Sequence, residues 1–379
     1  MTDKLSVRLS SLVMIHSTSS LSIEQKIGQL FFIGMPGPQF DEATRELVDQ
    51  VSPGGVCLFS RNIREAEQTR QLTDTIRDSL PITPFLSIDQ EGGLVDRLRR
   101  VMTPMPPASK ITSPRQAAEA AHIVADALHT LGLNMDFAPV VDVSDTGRAQ
   151  YSNGLVSRTF GSSASDVETL AGSFLDALQA GGILGCLKHF PGLGASTVDS
   201  HEELPIVEID DTELHTTDLL PYRGLLTRVT AVMVAHAAFP NSNLQERDRG
   251  GKLLPSSLSY NFVTKLLRQE LHFGGLVISD DLEMGAIVKN YGMGEACKMA
   301  IAAGVDMLAI CADPRAIREG FEAVRTAVAD GGISTARLDE SMERISGAKS
   351  RLSQPRPFDS MKFNDLSAET EHLTAKLNR

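Results

Sequence analysis

Eight short apolar runs, separated by longer segments of helical character, restrict this sequence more than any other feature. The runs are Leu30–Met35, Val56–Ser60, Pro84–Asp89, Met135–Val143, Ile183–Phe190, Ala231–Phe239, Gly275–Asp280 and Val305–Cys311. Between them lie helix-like segments such as Glu65–Ser79, Pro114–Leu131, Ser165–Ala180, Thr212–Arg228, Ser259–Leu271 and Gly294–Ala303. Asp313-Pro314 opens a further helix with an N-cap and a proline at its first position, and Asp330-Gly331-Gly332 ends it. Strands that alternate with helices make a parallel sheet. Runs that are apolar throughout, rather than at every second residue, are buried on both faces. The pattern predicts an α/β fold, a single-domain (β/α)8 TIM barrel, for which about 250 residues suffice. A doubly wound open sheet is the alternative.

The 379 residues are enough for one large domain or two average ones. No Pro/Gly/Ser-rich linker divides them, and no internal repeat is visible. We expect a loose arm at 1–20, a catalytic barrel over 21–351, and a polar tail at 352–379 with room for a short helix. The net charge of −12, without any Lys/Arg cluster, argues against a nucleic-acid partner. Cys57, Cys186, Cys297 and Cys311 are scattered without metal-ligand spacing and read as reduced thiols of a cytoplasmic protein. The apolar run Leu12–Ile15 is shorter than a signal-peptide core of about 7–15 residues. No run approaches the roughly 18 apolar residues of a membrane span. The expectation is a soluble cytoplasmic monomer with no membrane partner, no cofactor and no metal.

In such a barrel, catalytic groups come from the C-terminal ends of the strands. The third run ends in Ser87-Ile88-Asp89-Gln90-Glu91-Gly92-Gly93, the fourth near Asp142 and the fifth in Lys188-His189. The sixth carries His236, and the seventh ends in Ser279-Asp280-Asp281. A salt bridge or cap explains any one of these. Five strands delivering ionisable groups to one rim point to a polar active site. After Lys188-His189 the chain breaks at Pro191-Gly192, passes through Leu193-Gly194-Ala195-Ser196-Thr197 and reaches Asp199-Ser200-His201.

These groups suit glycoside cleavage. A retaining glycosidase needs a carboxylate nucleophile and a second group that protonates the leaving oxygen, then deprotonates water. Asp280, at a strand tip, is a rigidly placed carboxylate. His201 exchanges protons near neutral pH, its reference pKa being about 6.5. Asp199 is placed to hydrogen-bond that imidazole and fix its tautomer. Gly192 and Gly194 would let their loop swing. Plainer readings stand beside these. Residues 199–201 also read as a capped turn with a surface histidine, and Asp280 as a helix N-cap. Lys188-His189 also reads as a strand-end salt bridge, and His236 as a core histidine rather than a substrate contact. Metal catalysis fits less well, because neither HExxH nor paired histidine spacing occurs. Gly192-Leu193-Gly194 is half of a dinucleotide fingerprint, lacking the third glycine and entered through proline. Tryptophan is absent and aromatics are 5%, so a sugar would be held by hydrogen bonds and charge.

Over about residues 22–350 the sequence resembles the β-N-acetylglucosaminidases (β-hexosaminidases) of glycoside hydrolase family 3. The pieces that carry the resemblance are Ile88–Gly93 with Arg97, Asp136–Val143, Ser157–Gly161, Lys188–Gly192, Asp199-Ser200-His201 and Ile278–Met284, in this order. The resemblance implies a retaining hydrolase that removes terminal non-reducing β-linked N-acetylglucosamine through a covalent glycosyl-aspartate. By the same resemblance Asp280 is the nucleophile, His201 the general acid/base and Asp199 its partner. Asp89, Arg97, Arg158, Lys188 and His189 would hold the sugar. A role in recycling cell-wall muropeptides is also implied. Many members carry a second α/β domain, for which this chain is too short. An acid/base on a barrel loop is then what the mechanism requires.

Two positions depart from the family. Leu193 stands where His or Arg is frequent, and Leu94 where Arg is common. Neither is assigned a chemical step, so loop behaviour and affinity beyond the first sugar are what they would alter. An imidazole acid/base repels anions less than a carboxylate, so a β-N-acetylglucosaminide phosphorylase on the same site is one alternative. A non-catalytic sugar-binding barrel is another. A phosphate-dependent lyase or aldolase would need a glycine-rich phosphate site, and none follows Cys311.

Overall fold

The computed structural model describes residues 21–144, 147–148, 154–196 and 204–378. Their strands are β1 Phe31–Gly34, β2 Gly55–Leu58, β3 Phe85–Ile88, β4 Gln90–Gly92, β5 Val95–Asp96, β6 Met135–Asp136, β7 Leu184–Phe190, β8 Ala231–Val234, β9 Leu276–Asp281 and β10 Met307–Ile310. Eight of them close into a parallel barrel in the order β1-β2-β3-β6-β7-β8-β9-β10. Closure is made by β10 on β1, with Phe31 opposite Leu308 and Ile33 opposite Ile310. An open doubly wound sheet has no such pairing, so the TIM barrel expected from the eight runs is the fold. β4 and β5 form an antiparallel hairpin outside the barrel wall.

Every apolar run supplies one barrel strand, but two outlast their strands by five residues or more. In the fourth, pairing stops at Asp136, although Val141 still donates its N–H to Lys188 O at 2.8 Å. Pro139 lies between and has no N–H to give the ladder. In the sixth, pairing covers only Ala231–Val234, and His236 lies beyond it.

The helices between the strands start where their side chains can cap them. Ser113 accepts the Gln116 N–H before Pro114–Thr130, and Ser163 accepts the Asp166 N–H before Ala164–Ala180. Asp313 caps Pro314–Ala329 with proline at the first helical position. Small residues such as Ala117, Ala120 and Ala121 face inward on the first of these, so it can lie close to its neighbour. Inside the barrel Phe32 stacks on Phe85 at 5.7 Å and meets Phe137 edge-on at 5.3 Å. All four cysteines are buried and free. Among the described residues no helix is long and apolar enough to cross a membrane.

The polar segment after the barrel ends in a helix of 18 residues, Ser360–Leu377, capped by Asp359. Phe363, Leu366, Thr370 and Leu373, spaced at three and four, form its buried stripe. It packs beside Pro114–Thr130, where Lys376 pairs with Glu119 at 2.6 Å. Ser367 Oγ accepts the Thr103 N–H at 3.1 Å, so the helix also holds the loop that follows the hairpin.

The end of the barrel where the strands begin is tied by charge. Asp306, fully buried before β10, accepts from Val277 N at 3.0 Å, Arg344 at 3.0 Å and Ser341 Oγ at 3.1 Å, and it pairs with Arg268. Nearby, the buried Lys349 donates to Gln29 Oε1 at 2.6 Å and lies 5.3 Å from the Phe85 ring centroid.

Two outcomes follow from this end of the barrel. Asp306→Ala leaves Arg268, Arg337 and Arg344 without the carboxylate they share, and should cost about 3–5 kcal/mol of stability in urea denaturation. Burial pushes the Lys349 ammonium down to about 7 from a usual 10.5. The unfolded chain therefore binds this proton over a range where the folded chain does not, and stability from this group rises as pH goes from about 7 to 10. Lys349→Met should raise Tm by several degrees at or below pH 7, with the gain fading toward pH 10. A gain that stayed constant with pH in thermal melts would contradict this.

Candidate active site

The groups at the strand ends are aimed by local irregularities. Between Leu187 and Phe190, three steps along β7 match two along β8, because Leu187 pairs with Val232 and Phe190 with Val234. Such a bulge re-aims the side chains within it. It lies at Lys188 and His189, and both line one cavity. β9 does the same against β10, where Ile278 pairs with Met307 and Asp281 with Ala309. Asp280 lies in that bulge, beside Ser279, whose Oγ accepts the Ala309 N–H at 3.0 Å. The β4–β5 hairpin is locked from within. Buried Gln90 donates to Asp96 Oδ1 at 2.8 Å and accepts the Arg97 N–H at 2.9 Å. Asp96 in turn accepts the Met105 N–H at 2.8 Å. This fixes the chain on either side of Glu91 and Arg97.

The cavity at this end of the barrel has a volume of about 270 Å³. That is just under the range of roughly 300–1,000 Å³ for drug-sized ligands, so it has room for one sugar rather than an oligosaccharide. Asp89, Glu91, Arg97, Arg158, Lys188, His189 and Asp280 all line it. Lys188 is at the floor with 2% of its side chain exposed, bonded to Asp89 Oδ1 at 2.7 Å and Glu91 Oε1 at 2.5 Å. Arg158 makes a two-pronged pair with Glu91, at 2.7 and 2.9 Å. Its Nη2 also lies 3.3 Å from His189 Nε2. His189 Nδ1 sits 2.7 Å from Asp142 Oδ2, so Asp142 orients the ring. Arg97 reaches Asp89 Oδ2 at 3.3 Å and lies over the Phe59 ring.

This arrangement sets the charges. Burial works against ionisation of Asp89, but Lys188 and Arg97 outweigh it and hold the carboxyl down at about 2. Glu91 is likewise buried, and Lys188 and Arg158 bring it below its ordinary value. Lys188 is buried too, yet its two carboxylates raise it above a free lysine. The floor is thus fully charged at neutral pH, with fixed donors and acceptors for sugar hydroxyls.

Adjacent Asp280 and Asp281 differ. Asp281 Oδ1 accepts the backbone N–H groups of Glu283 at 3.1 Å and Cys311 at 3.3 Å, and burial pushes its carboxyl up to about 7. It serves the turn after β9. Among the described residues Asp280 accepts only the Asp281 N–H, at 2.8 Å, and no cation pairs with it.

Not every expected residue reaches the cavity. His236 is 1% exposed, and it is absent from the described lining. Its Nδ1 meets Ser257 Oγ at 2.6 Å and its Nε2 the Asp281 carbonyl at 3.0 Å, and burial lowers its pKa. It props the end of β9 from within and does not reach the described cavity lining. Asp199 and His201 lie outside the described residues. The glycines before them are not free hinges. A Cβ on Gly192 would stand 2.7 Å from Asp218, and one on Gly194 1.7 Å from the Val143 carbonyl. Gly194 allows close approach of packed backbone, and Gly192 leaves room for the Asp218 side chain. Asp142 Oδ1 also accepts the Leu193 N–H at 2.7 Å, and Ser196 bridges to Val207. The loop is therefore clamped at its base, and its two feet, Ser196 and Pro205, both line the cavity.

Glu91 and Asp142 stand among the ionisable groups at the strand ends, but the sequence assigns neither a part in holding the sugar, because their partners come from other elements. Asp136 is likewise unassigned. It accepts the Gln90 N–H at 2.9 Å beneath the hairpin, and burial pushes its carboxyl up to about 8.

Residues 22–348 match the glycosyl hydrolase family 3 N-terminal domain. Beta-hexosaminidase A of Pseudoalteromonas piscicida is 31% identical over 334 residues, covering 82% of this chain and 55% of its own length. The chain thus spans little more than half of that relative. The beta-hexosaminidase of Tolumonas auensis is 31% identical over 319 residues, covering 82% of this chain and 91% of its own. A solved glycoside hydrolase family 3 beta-N-acetylglucosaminidase from a Paenibacillus species superposes with a TM-score of 0.84 at 32% identity, over 94% of this chain and 69% of that one. A family member from Mycobacterium smegmatis gives 0.78 at 29% identity, over 89% of this chain and 99% of that one. Barrel, site motifs and matches agree, and the chain belongs to glycosyl hydrolase family 3.

Proposed function

We propose that this chain is a retaining β-N-acetylglucosaminidase that removes a terminal, non-reducing β-linked N-acetylglucosamine. The observation that carries the proposal is the cavity itself. An unpaired carboxylate, Asp280, shares it with the charged floor of Asp89, Glu91, Arg158 and Lys188, and both feet of the 197–204 loop stand on its wall. The names of the relatives support the sugar, and the small volume supports removal of one terminal unit.

In this mechanism the floor holds the sugar while the Asp280 carboxylate attacks C1. The C1–O bond to the leaving group breaks, and His201 delivers its proton to the departing oxygen. The product of this step is a glycosyl ester on Asp280 and a neutral imidazole. His201 then takes a proton from water, the oxygen attacks C1, and Asp280 is released with β configuration retained. Asp199 orients the imidazole. Four residues of chain lie between Ser196 on the cavity wall and His201, so the five steps reach at most about 18 Å. His201 can therefore be brought to the cavity without any movement of the barrel.

Hydrolysis is favoured over phosphorolysis by the state of the cations. Each described Arg or Lys in the lining is already bonded to a carboxylate, so none remains unpaired for a phosphate dianion. We extend the proposal to a monomer in the cytoplasm, a placement that four free buried thiols support.

Turnover of a chromogenic β-N-acetylglucosaminide is the direct test. Asp280→Asn should lower kcat by several orders of magnitude, since the covalent step is lost. His201→Ala should slow substrates with poor leaving groups about 10²–10⁴-fold and activated aryl glycosides far less. Near-native rates in both variants would refute the assignment. Rates in phosphate and in a non-coordinating buffer should agree, and N-acetylglucosamine 1-phosphate as a product would instead indicate the phosphorylase.

A further inference from the structure

Three bonds hold the residue that follows Asp280. Asp281 Oδ1 accepts the N–H groups of Glu283 and Cys311, and its carbonyl oxygen faces His236 Nε2 at 3.0 Å. A carbonyl can only accept, so Nε2 carries the ring proton, and Nδ1 accepts from the Ser257 hydroxyl at 2.6 Å. Burial lowers the pKa of His236, which favours this neutral ring. The ring stands in a fixed frame. Next to the turn Ser256–Leu258, the Ser256 N–H donates to Ala237 O at 2.8 Å and the Ser257 N–H to Ala235 O at 3.1 Å. The chain on both sides of His236 is therefore stitched to the turn that also carries its side-chain partner. His236 and Ser257 are both buried.

A buried histidine with both nitrogens bonded is by itself only a core residue. This one is set apart by what its partner holds, because the Asp281 N–H donates to Asp280 Oδ1 at 2.8 Å. The ladder between β9 and β10 is out of register from Ile278 to Asp281, so regular sheet pairing does not aim this carboxylate. Resting on the reading above, we infer that His236 and Ser257 are positioning residues for the nucleophile: they fix Asp281, whose N–H engages Oδ1 of Asp280 and leaves Oδ2 to attack C1. The Oδ2–C1 bond forms as the electron pair of the C1–O bond passes to the leaving oxygen, which takes the proton of His201. Oδ1 becomes the carbonyl oxygen of the ester. When water displaces that ester, negative charge returns to the carboxylate, and the Asp281 N–H already on Oδ1 stabilises it.

The test measures kcat for a chromogenic β-N-acetylglucosaminide beside the inhibition constant of N-acetylglucosamine, which reads the charged floor alone. His236→Phe should lower kcat about 10–100-fold, the scale of a displacement of up to about 1 Å. The inhibition constant should stay within about twofold, since no ground-state contact to the sugar is lost. His236→Gln, which keeps a side-chain N–H, should recover most of the lost rate. Ser257→Ala should lower kcat about 3–10-fold, as loss of one buried hydrogen bond allows. Added to His236→Phe it should cause no further loss, because Ser257 acts only through the ring. Native kcat in folded His236→Phe overturns the inference, as do equal losses of rate and inhibitor affinity or additive losses in the double variant. Where His236→Phe does not fold, Ser257→Ala decides alone: native kcat overturns the inference, and a lower kcat at an unchanged inhibition constant supports it. Turnover by the unaltered chain that Asp280→Asn abolishes keeps the parent assignment standing in every case, and without that turnover both fall.

Discussion

Lys188 holds a full positive charge at the bottom of a cavity, with almost none of its side chain in contact with water. Taking an ammonium out of water costs several kcal/mol, and only close, well-formed contacts with opposite charges offset it. Asp89 and Glu91 supply those contacts, and two carboxylates around one cation leave a negative surplus. Arg158 and Arg97 answer that surplus from the other side. Arg158 is thereby set against His189, and His189 against Asp142, whose second oxygen ties down the base of the 197–204 loop. One buried charge thus organises groups from β3, the hairpin, the segment after β6, the Leu155–Arg158 turn and β7. Its presence in the floor also explains why acidic side chains so close together remain ionised.

The barrel was legible because burial on both faces writes itself into a parallel strand as an unbroken apolar run. Helices were legible from their caps and their period. Run four outlasted its strand because Pro139 is apolar in composition but useless to a ladder. The site was legible where it depended on residue type at a strand end, as at Asp89, Lys188, His189 and Asp280. It was not legible where it depended on who meets whom. Nothing local distinguishes Glu91, half of a two-pronged pair, from an exposed hairpin glutamate. His236 looks in sequence like any histidine after a strand, and only its two partners reveal a prop.

Glycines and bulges mark the same boundary. Gly192 and Gly194 carry the signature of a hinge, but a glycine that makes room for a packed side chain or backbone carries it too. The distinction lies in Asp218 and Val143, which the sequence places far from the turn. Bulges in β7 and β9 follow from register between strands that are about 30 to 45 residues apart in the chain, which no local pattern encodes. They occur where chemistry-bearing side chains must be turned toward a common centre, at some loss of regular pairing.

The late helix Ser360–Leu377 gives the molecule an order of assembly. Its Thr370 and Ser367 hold Met105 and Thr103, and Met105 in turn bonds Asp96 and Gly93 on either side of the hairpin turn. On a ribosome, chains fold from the N-terminus as they emerge, at about 5–20 residues per second. The hairpin is made early, yet its support arrives more than 260 residues later. While those residues are being made, the nascent barrel therefore has the hairpin beside Glu91 and Arg97 without the brace that steadies it. The pocket takes its final shape only after Thr370 has been made.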